Sequence, residues 1–303
     1  MVILSRREFM VTSSLAFSSS SLLTALTFDQ SLPETEFKPL RRHVGIFSGR
    51  GGTIGWLASP DALVIVDSQF PETAKICLRG LEQRAKDKID ALINTHHHGD
   101  HTAGNVVFGP RAKQIIAHQN VPRLQQRSAD SSGTTDSQTY ADTTFDDQWK
   151  MSVGNETVSA KHYGPGHTGG DIVVFFEAAN VAHVGDLVFN HRHPFVDRSS
   201  GASVRGWISS LESMAGELLD DTIYIFGHAK VGRSITGRKA DLLVQRDYFS
   251  AVLEHVEKGI AAGSSRDEVS SLEALPAFGD YVGNPPRLTL ANVLGVTYDE
   301  LMQ

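Results

Sequence analysis

Within the hexapeptide His96-His97-His98-Gly99-Asp100-His101, the side chains of His96, His98, Asp100 and His101 form the pattern HxHxDH directly after the apolar run Ala91-Leu92-Ile93-Asn94. Imidazole is a good zinc ligand, and alternate residues at a strand end project to one side, so His96 and His98 can reach a single ion. Asp100 and His101 lie beyond the glycine bend, where they would face a second ion. Three more ligand-type residues each follow an apolar run: His167 in Gly164-Pro165-Gly166-His167-Thr168-Gly169-Gly170-Asp171, Asp186 in Val184-Gly185-Asp186, and His228 after Gly227. Singly, a histidine at a strand end reads as a structural residue; beside the first cluster these read as ligands. Structural zinc sites are usually closed and cysteine-rich, whereas histidines and aspartates of this kind leave room for water, so the expected chemistry is metal-assisted hydrolysis.

The elements that must carry these residues are short. Apolar, β-branched runs at 44–47, 54–57 and 63–66 predict strands, with Gly49, Gly51 and Gly52 forming the turn between the first two. A helix is expected over 71–85, where Ala74, Cys77, Leu78, Leu81 and Ala85 recur at helical spacing and place Cys77, the only cysteine, in the core. Further strands are expected at 91–94, 115–117, 158–162, 172–176, 181–184 and 223–226. Helices are expected at 207–219, 239–260 and 288–301. The Ser-, Thr- and Asp-rich segment 128–147 lacks periodicity and predicts a long surface loop.

The chain has 303 residues, 40% of them hydrophobic, enough for a substantial core. Its net charge of -7 argues against nucleic acid as substrate. No run of eighteen apolar residues follows the first thirty positions, so no helical membrane span is expected in the body of the chain. A lone cysteine excludes an internal disulfide. The start, Ser5-Arg6-Arg7-Glu8-Phe9-Met10 followed by a weakly hydrophobic, serine-rich stretch, resembles a twin-arginine export signal over residues 1–30. Residues 31–303 are then the hydrolase domain, placed in the periplasm or secreted after passing the export machinery. That route moves folded proteins, which suits a chain that takes up its metal before export.

HxHxDH, a GPGHT-type histidine, a Gly-Asp and a final Gly-His, in this order, resemble the metallo-β-lactamase superfamily. The resemblance implies an α/β fold: a four-layer αββα sandwich with the metals at one end between two mixed sheets, extended here by a helical C-terminal tail. It implies two zinc ions per chain, the first on His96, His98 and His167, the second on Asp100, His101 and His228, with Asp186 bridging them or binding the second alone. Asp67, ending the strand at 63–66, resembles an acid lying beneath the metals and would orient a ligand histidine.

In the expected reaction the two ions make hydroxide from water near neutral pH and polarise a carbonyl, while Asp100 orients the hydroxide as the catalytic carboxylate. The substrate is a small molecule with a hydrolysable carbonyl. Export favours the amide of β-lactams; the alternative is a lactone or thioester, because an aspartate bridge looks more like glyoxalase II and the lactonases. In the best-known metallo-β-lactamases the Asp186 position is cysteine, and a lysine three residues on holds the substrate carboxylate. Here that residue is Phe189, and Arg192, within His191-Arg192-His193-Pro194-Phe195, is the cation expected to replace the lysine.

Overall fold

The structure, a computed structural model, describes residues 34–85 and 88–303. The expected export signal lies outside the described residues. One sheet runs in the order β1 (Glu36–Arg41), β2 (Val44–Ser48), β3 (Ile54–Ala58), β4 (Leu63–Val66), β5 (Ala91–Ile93), β6 (Ile115–His118) and β7 (Thr143–Phe145). It is antiparallel as far as β4 and parallel from β4 to β7. The other contains β8 (Gln148–Val153), β9 (Glu156–Lys161), β10 (Val173–Phe176), β11 (Val181–Asn190), β12 (Ile223–Ala229) and β13 (Thr236–Gly237), antiparallel except for the parallel β11–β12 pair.

The helices are α1 (Pro71–Glu82), α2 (Gly99–Thr102), α3 (Asn105–Phe108), α4 (Val121–Ser132), α5 (Val204–Glu217), α6 (Lys239–Ala261), α7 (Arg266–Ser270) and α8 (Leu290–Leu301). None among the described residues is long and apolar enough to cross a membrane.

The layers follow from the two-residue period of the strands. In the first sheet Val44, Ile46, Leu57, Val64, Val66, Ala91, Ile93 and Ile116 turn inward and share one apolar cluster with Val158, Ala160, Val174, Phe176, Val181 and Ile225 of the second. Their alternates, among them Phe47, Ile54, Trp56, Ile65 and Leu92, turn outward onto Ala74, Cys77 and Leu81 of α1 and Phe108 of α3. On the opposite flank Val173, Ala182, Val184, Tyr224 and Phe226 cluster with Trp207, Leu211 and Met214 of α5, Leu242, Phe249 and Val252 of α6, and Leu294 of α8. This is the four-layer αββα sandwich, and Cys77 is buried where the helical spacing placed it.

Three expectations need correction. Segment 128–147 is not one loop: α4 runs on to Ser132 and is stopped by Gly133 in the left-handed conformation (φ 67), and β7 adds an edge strand beside β6. The helical period was carried by Val121, Leu124, Gln125 and Ala129, all buried, and its last turn is polar because it faces solvent. Strand β1, with three charged residues in six and Pro39 inside it, was not expected; these are edge-strand traits. Strand β11 continues past 184 to Asn190, and β11 advances from Gly185 to Phe189 while its partner moves only from Phe226 to His228. This bulge, with Gly185 at φ 51, turns the Asp186 side chain out of the ladder.

Candidate metal centre

All seven expected ligands gather where the two sheets end together. His96 to His101 follow β5, His167 lies in the β9–β10 connection, Asp186 sits in the β11 bulge and His228 near the end of β12. The sheets are tied across this end by Thr53 N–H donating to Gly227 O (3.1 Å) and Ile172 N–H to Thr95 O (2.9 Å). Two glycines make room: a Cβ on Gly52 would clash with the His101 ring, and one on Gly227 would overlap Asp186 Oδ1.

The ligand atoms form two groups, each within 4.8 Å: His96, His98, His167 and Asp186, then Asp100, His101 and His228. Asp186 touches both. Its Oδ2 lies 3.9 Å from His96 Nε2, 3.4 Å from His167 Nε2 and 3.4 Å from His228 Nε2, while its Oδ1 lies 3.0 Å from His101 Nε2. Asp100 Oδ2 is 3.2 Å from His228 Nε2 and 3.7 Å from His101 Nε2.

Whether these residues fit a metal can be read from where their protons go. His101 Nδ1–H donates to Asp67 Oδ2 (2.7 Å) and His167 Nδ1–H to Phe195 O (2.7 Å). Thr95 Oγ1 donates to Asp67 Oδ2 (2.8 Å) and so accepts from His96 Nδ1–H (3.1 Å). His98 Nε2–H donates to Asp197 Oδ2 (3.1 Å). In His96, His98, His101 and His167 one ring nitrogen is thus engaged outside the cluster and the other faces into it. His98 Nδ1 and His167 Nε2 stand 2.8 Å apart, a contact that needs either a shared proton or a cation between the rings. His96 Nε2, His101 Nε2 and Asp186 Oδ1 are buried without a hydrogen-bond partner. Buried acceptors facing one another are costly unless a cation lies among them, so the donor set fits metal ions.

Asp67 is where the sequence expected an orienting acid. It is fully buried, in the left-handed conformation (φ 63), and its Oδ1 also accepts Thr95 N–H (2.7 Å). A non-glycine residue held there indicates strain kept for a purpose at the site. Charge follows the geometry. Burial holds His96 well below its ordinary range and brings His167 down to about 3. Burial also disfavours the cations of His101 and His228, but Asp186 and Asp100 outweigh it, raising His101 well above 6.5 and His228 to about 9. Asp186 is buried, yet His228 and His101 keep it well below the usual carboxylate range.

Above the cluster opens a cleft of about 560 Å³ lined by Asp100, Asp186, His228, Phe189, Phe195 and Arg192, with residues 284–288 on its far wall. Arg192, the substrate cation expected from the sequence, is thus one of the residues lining the cleft. Arg287 lines the same cleft and was not foreseen; its guanidinium stands 5.8 Å from the centre of the Phe195 ring. Phe189 stacks on His228 (5.3 Å) and forms an apolar wall. His97, the remaining histidine of the hexapeptide, turns away from the cluster toward Ser200 Oγ (3.2 Å).

An αββα sandwich with His/Asp ligand groups at the open end of its sheets is the build of a metal-dependent hydrolase. The sequence profile of the metallo-beta-lactamase superfamily matches residues 48–228, and the chain belongs to that superfamily. It is 25% identical over 192 residues to a metallo-beta-lactamase type 2 of Bacillus sp. (strain 170), covering 62% of this chain and 72% of that one. Among solved structures, a metallo-beta-lactamase from Pontibacter korlensis superposes with TM-score 0.60 at 14% identity, covering 72% of this chain and 99% of its own. The sec-alkylsulfatase Pisa1 from Pseudomonas sp. reaches TM-score 0.68 at 15% identity over 88% of this chain and 50% of its own. At such identities both likenesses concern the fold.

Proposed function

We propose that this protein is an exported di-zinc hydrolase that opens the amide of β-lactams carrying a free carboxylate, with His96, His98, His167, Asp186, Asp100, His101 and His228 as its metal ligands. The observation that carries the reading is the pair of guanidinium groups, Arg192 and Arg287, lining one cleft with Asp100, Asp186 and His228. In a chain of net charge -7, neither has a carboxylate partner among the described residues. Guanidinium pairs with carboxylate through charge-assisted hydrogen bonds, and a β-lactam's carboxylate lies beside its amide. Anchoring the first positions the second over the ligand cluster.

Phe189, Phe195 and Leu288 receive the apolar body of the substrate. Zinc bound by these ligands supplies Lewis acidity, which polarises a carbonyl and makes water a competent nucleophile at neutral pH. Asp100 is the most exposed carboxylate of the set, its side chain 30% accessible against 5% for Asp186. From the cleft floor it takes a proton from the attacking water and returns it to the departing nitrogen as the C–N bond breaks. The paired Arg6 and Arg7 support twin-arginine export to the periplasm, where β-lactams act, and the relative named metallo-beta-lactamase supports the substrate class.

A lactone or thioester is the second reading, favoured by the aspartate at position 186 and by Phe189 where the resemblance leads one to expect lysine. The test is turnover by purified, zinc-loaded mature protein of a chromogenic cephalosporin, a simple lactone, a thioester and a secondary alkyl sulfate. Each is repeated after chelation and with His98→Ala. Cephalosporin turnover that disappears in both controls is expected. Lactone or thioester turnover without it moves the assignment to the second reading, and turnover of the sulfate alone overturns both.

A further inference from the structure

The cleft over the ligands does not end at Phe195. A second lobe of about 440 Å³ opens beside it, between α4 and the turn at 197–200, and His98, Ser128, Phe195 and Arg287 line both. One wall of this lobe is a helical stripe, because Leu124, Arg127, Ser128 and Ser131 stand at i, i+3, i+4 and i+7 of α4. Leu124 is buried and anchors the stripe, while Arg127, Ser128 and Ser131 are exposed. The lobe meets the ligand cluster at His98, whereas Arg192 stands in the first lobe with Asp100 and His228.

Arg127 is fixed at one corner and open at the others. Its Nη2 donates to Ser199 O and Ser200 Oγ, but its Nε and Nη1 meet no acceptor among the described residues. Asp197, the carboxylate that lines the lobe, is engaged elsewhere: its Oδ1 accepts from Ser199 Oγ (2.6 Å) and its Oδ2 lies 3.1 Å from His98 Nε2. Against this one carboxylate stand two guanidinium groups, Arg127 and Arg287. In a chain of net charge -7 the lobe is therefore a local excess of positive charge.

We propose that this lobe is a second carboxylate subsite, in which Arg127 receives an anionic end of the substrate's acyl arm while Arg192 and Arg287 hold the carboxylate beside the scissile amide. This rests on the hydrolase reading above and narrows its substrate class to dianions. Guanidinium N–H groups bind carboxylate through charge-assisted hydrogen bonds, and one such bond is strong enough to change affinity about tenfold. Bracing the turn occupies Nη2 alone, so Arg127 can do both. Phe195, shared by the two lobes, is the ridge over which the methylenes of the arm pass, and the hydroxyls of Ser128 and Ser131 suit its polar end.

The test uses zinc-loaded protein and two cephalosporins identical except at the end of the acyl arm, a free carboxylate in one and its methyl ester in the other. The free acid is expected to have a KM about tenfold lower, with kcat alike. Arg127→Ala should raise KM for the acid alone and so erase the difference, and Arg127→Lys should keep part of it. Ser131→Glu, on the exposed stripe and clear of the turn, should also erase it by like-charge repulsion, and it decides if the alanine variant does not fold. Equal KM values for the pair in wild type overturn the proposal, as does a preference that survives these substitutions. A rise in KM for both compounds alike in Arg127→Ala reports only the bracing of the turn and overturns it too. If neither compound is turned over, calorimetry with the same pair separates the two readings. Tighter binding of the acid that Arg127→Ala abolishes upholds the subsite while the β-lactamase reading falls; equal binding, or none, removes the subsite as well.

Discussion

Gly52 backs Asp100, its N–H donating to Asp100 O (3.0 Å). If Asp100 carries the proton during amide opening, Asp100→Asn lowers kcat by about a hundredfold or more at matched metal content, with KM little changed. Steady-state kinetics alongside metal analysis checks it. Gly52→Ala acts differently, because the added methyl must displace the His101 ring from its bond to Asp67. It should cost about 1–3 kcal/mol in urea unfolding and weaken metal binding as well. Residues of the first kind were legible: histidines and aspartates at strand ends announce themselves by type and spacing, and Asp67 by its place after an apolar run. Asp197 was not, because it acts from an irregular turn with no period to mark it. Arg287 stands far down the chain, and only the return of the tail brings it to the cleft.

At the level of elements, the decisive irregularity is the bulge in β11. Strand periodicity reads 181–184 and stops at Gly185, because past that point the residues no longer alternate against β12. Gly185 has φ 51, and a Cβ there would meet Thr95 Oγ1 at 2.6 Å. Gly185→Ala is therefore expected to destabilise the protein by about 1–3 kcal/mol through backbone strain and to misplace Asp186. Urea unfolding and zinc titration read the two effects separately. The helical tail was legible as helices but not as part of the site. Its segment before α8 joins the 191–193 strand end through His193 N–H to Val282 O (3.0 Å) and Val282 N–H to His191 O (3.2 Å). Asn284 and Leu288 then close a small loop by reciprocal backbone bonds, holding Arg287 between them. Arg287→Ala should raise KM for a carboxylate-bearing substrate about tenfold and leave kcat nearly unchanged. The methyl ester of that substrate should be indifferent to the substitution.

For the whole molecule, acid stability has a source away from the metal ligands. Burial and the stacked ring of His162 (4.2 Å) bring His118 down from 6.5 to about 4. Between these values the unfolded chain binds a proton that the fold refuses, so stability is full above pH 6.5 and falls as pH drops toward 4. The loss from this residue is at most ~3 kcal/mol, and His118→Gln should flatten the slope of metal-free urea midpoints across that window. Zinc held by the proposed ligands would stabilise the fold further. At a thousandfold excess over its Kd, a bound ion contributes about 4 kcal/mol, so chelation should lower the thermal midpoint by on the order of 10 °C.

The two ligand groups draw on both sheets, β5 and its following loop in one, β11 and β12 in the other. Ions gripped there join the front half of the chain to the back half, a covalent-like strap in a protein whose single cysteine cannot make one. Peeling the sheets apart then requires the strap to be released first, so the holo protein should resist proteases through slow opening, and a chelator should act as the key that admits them.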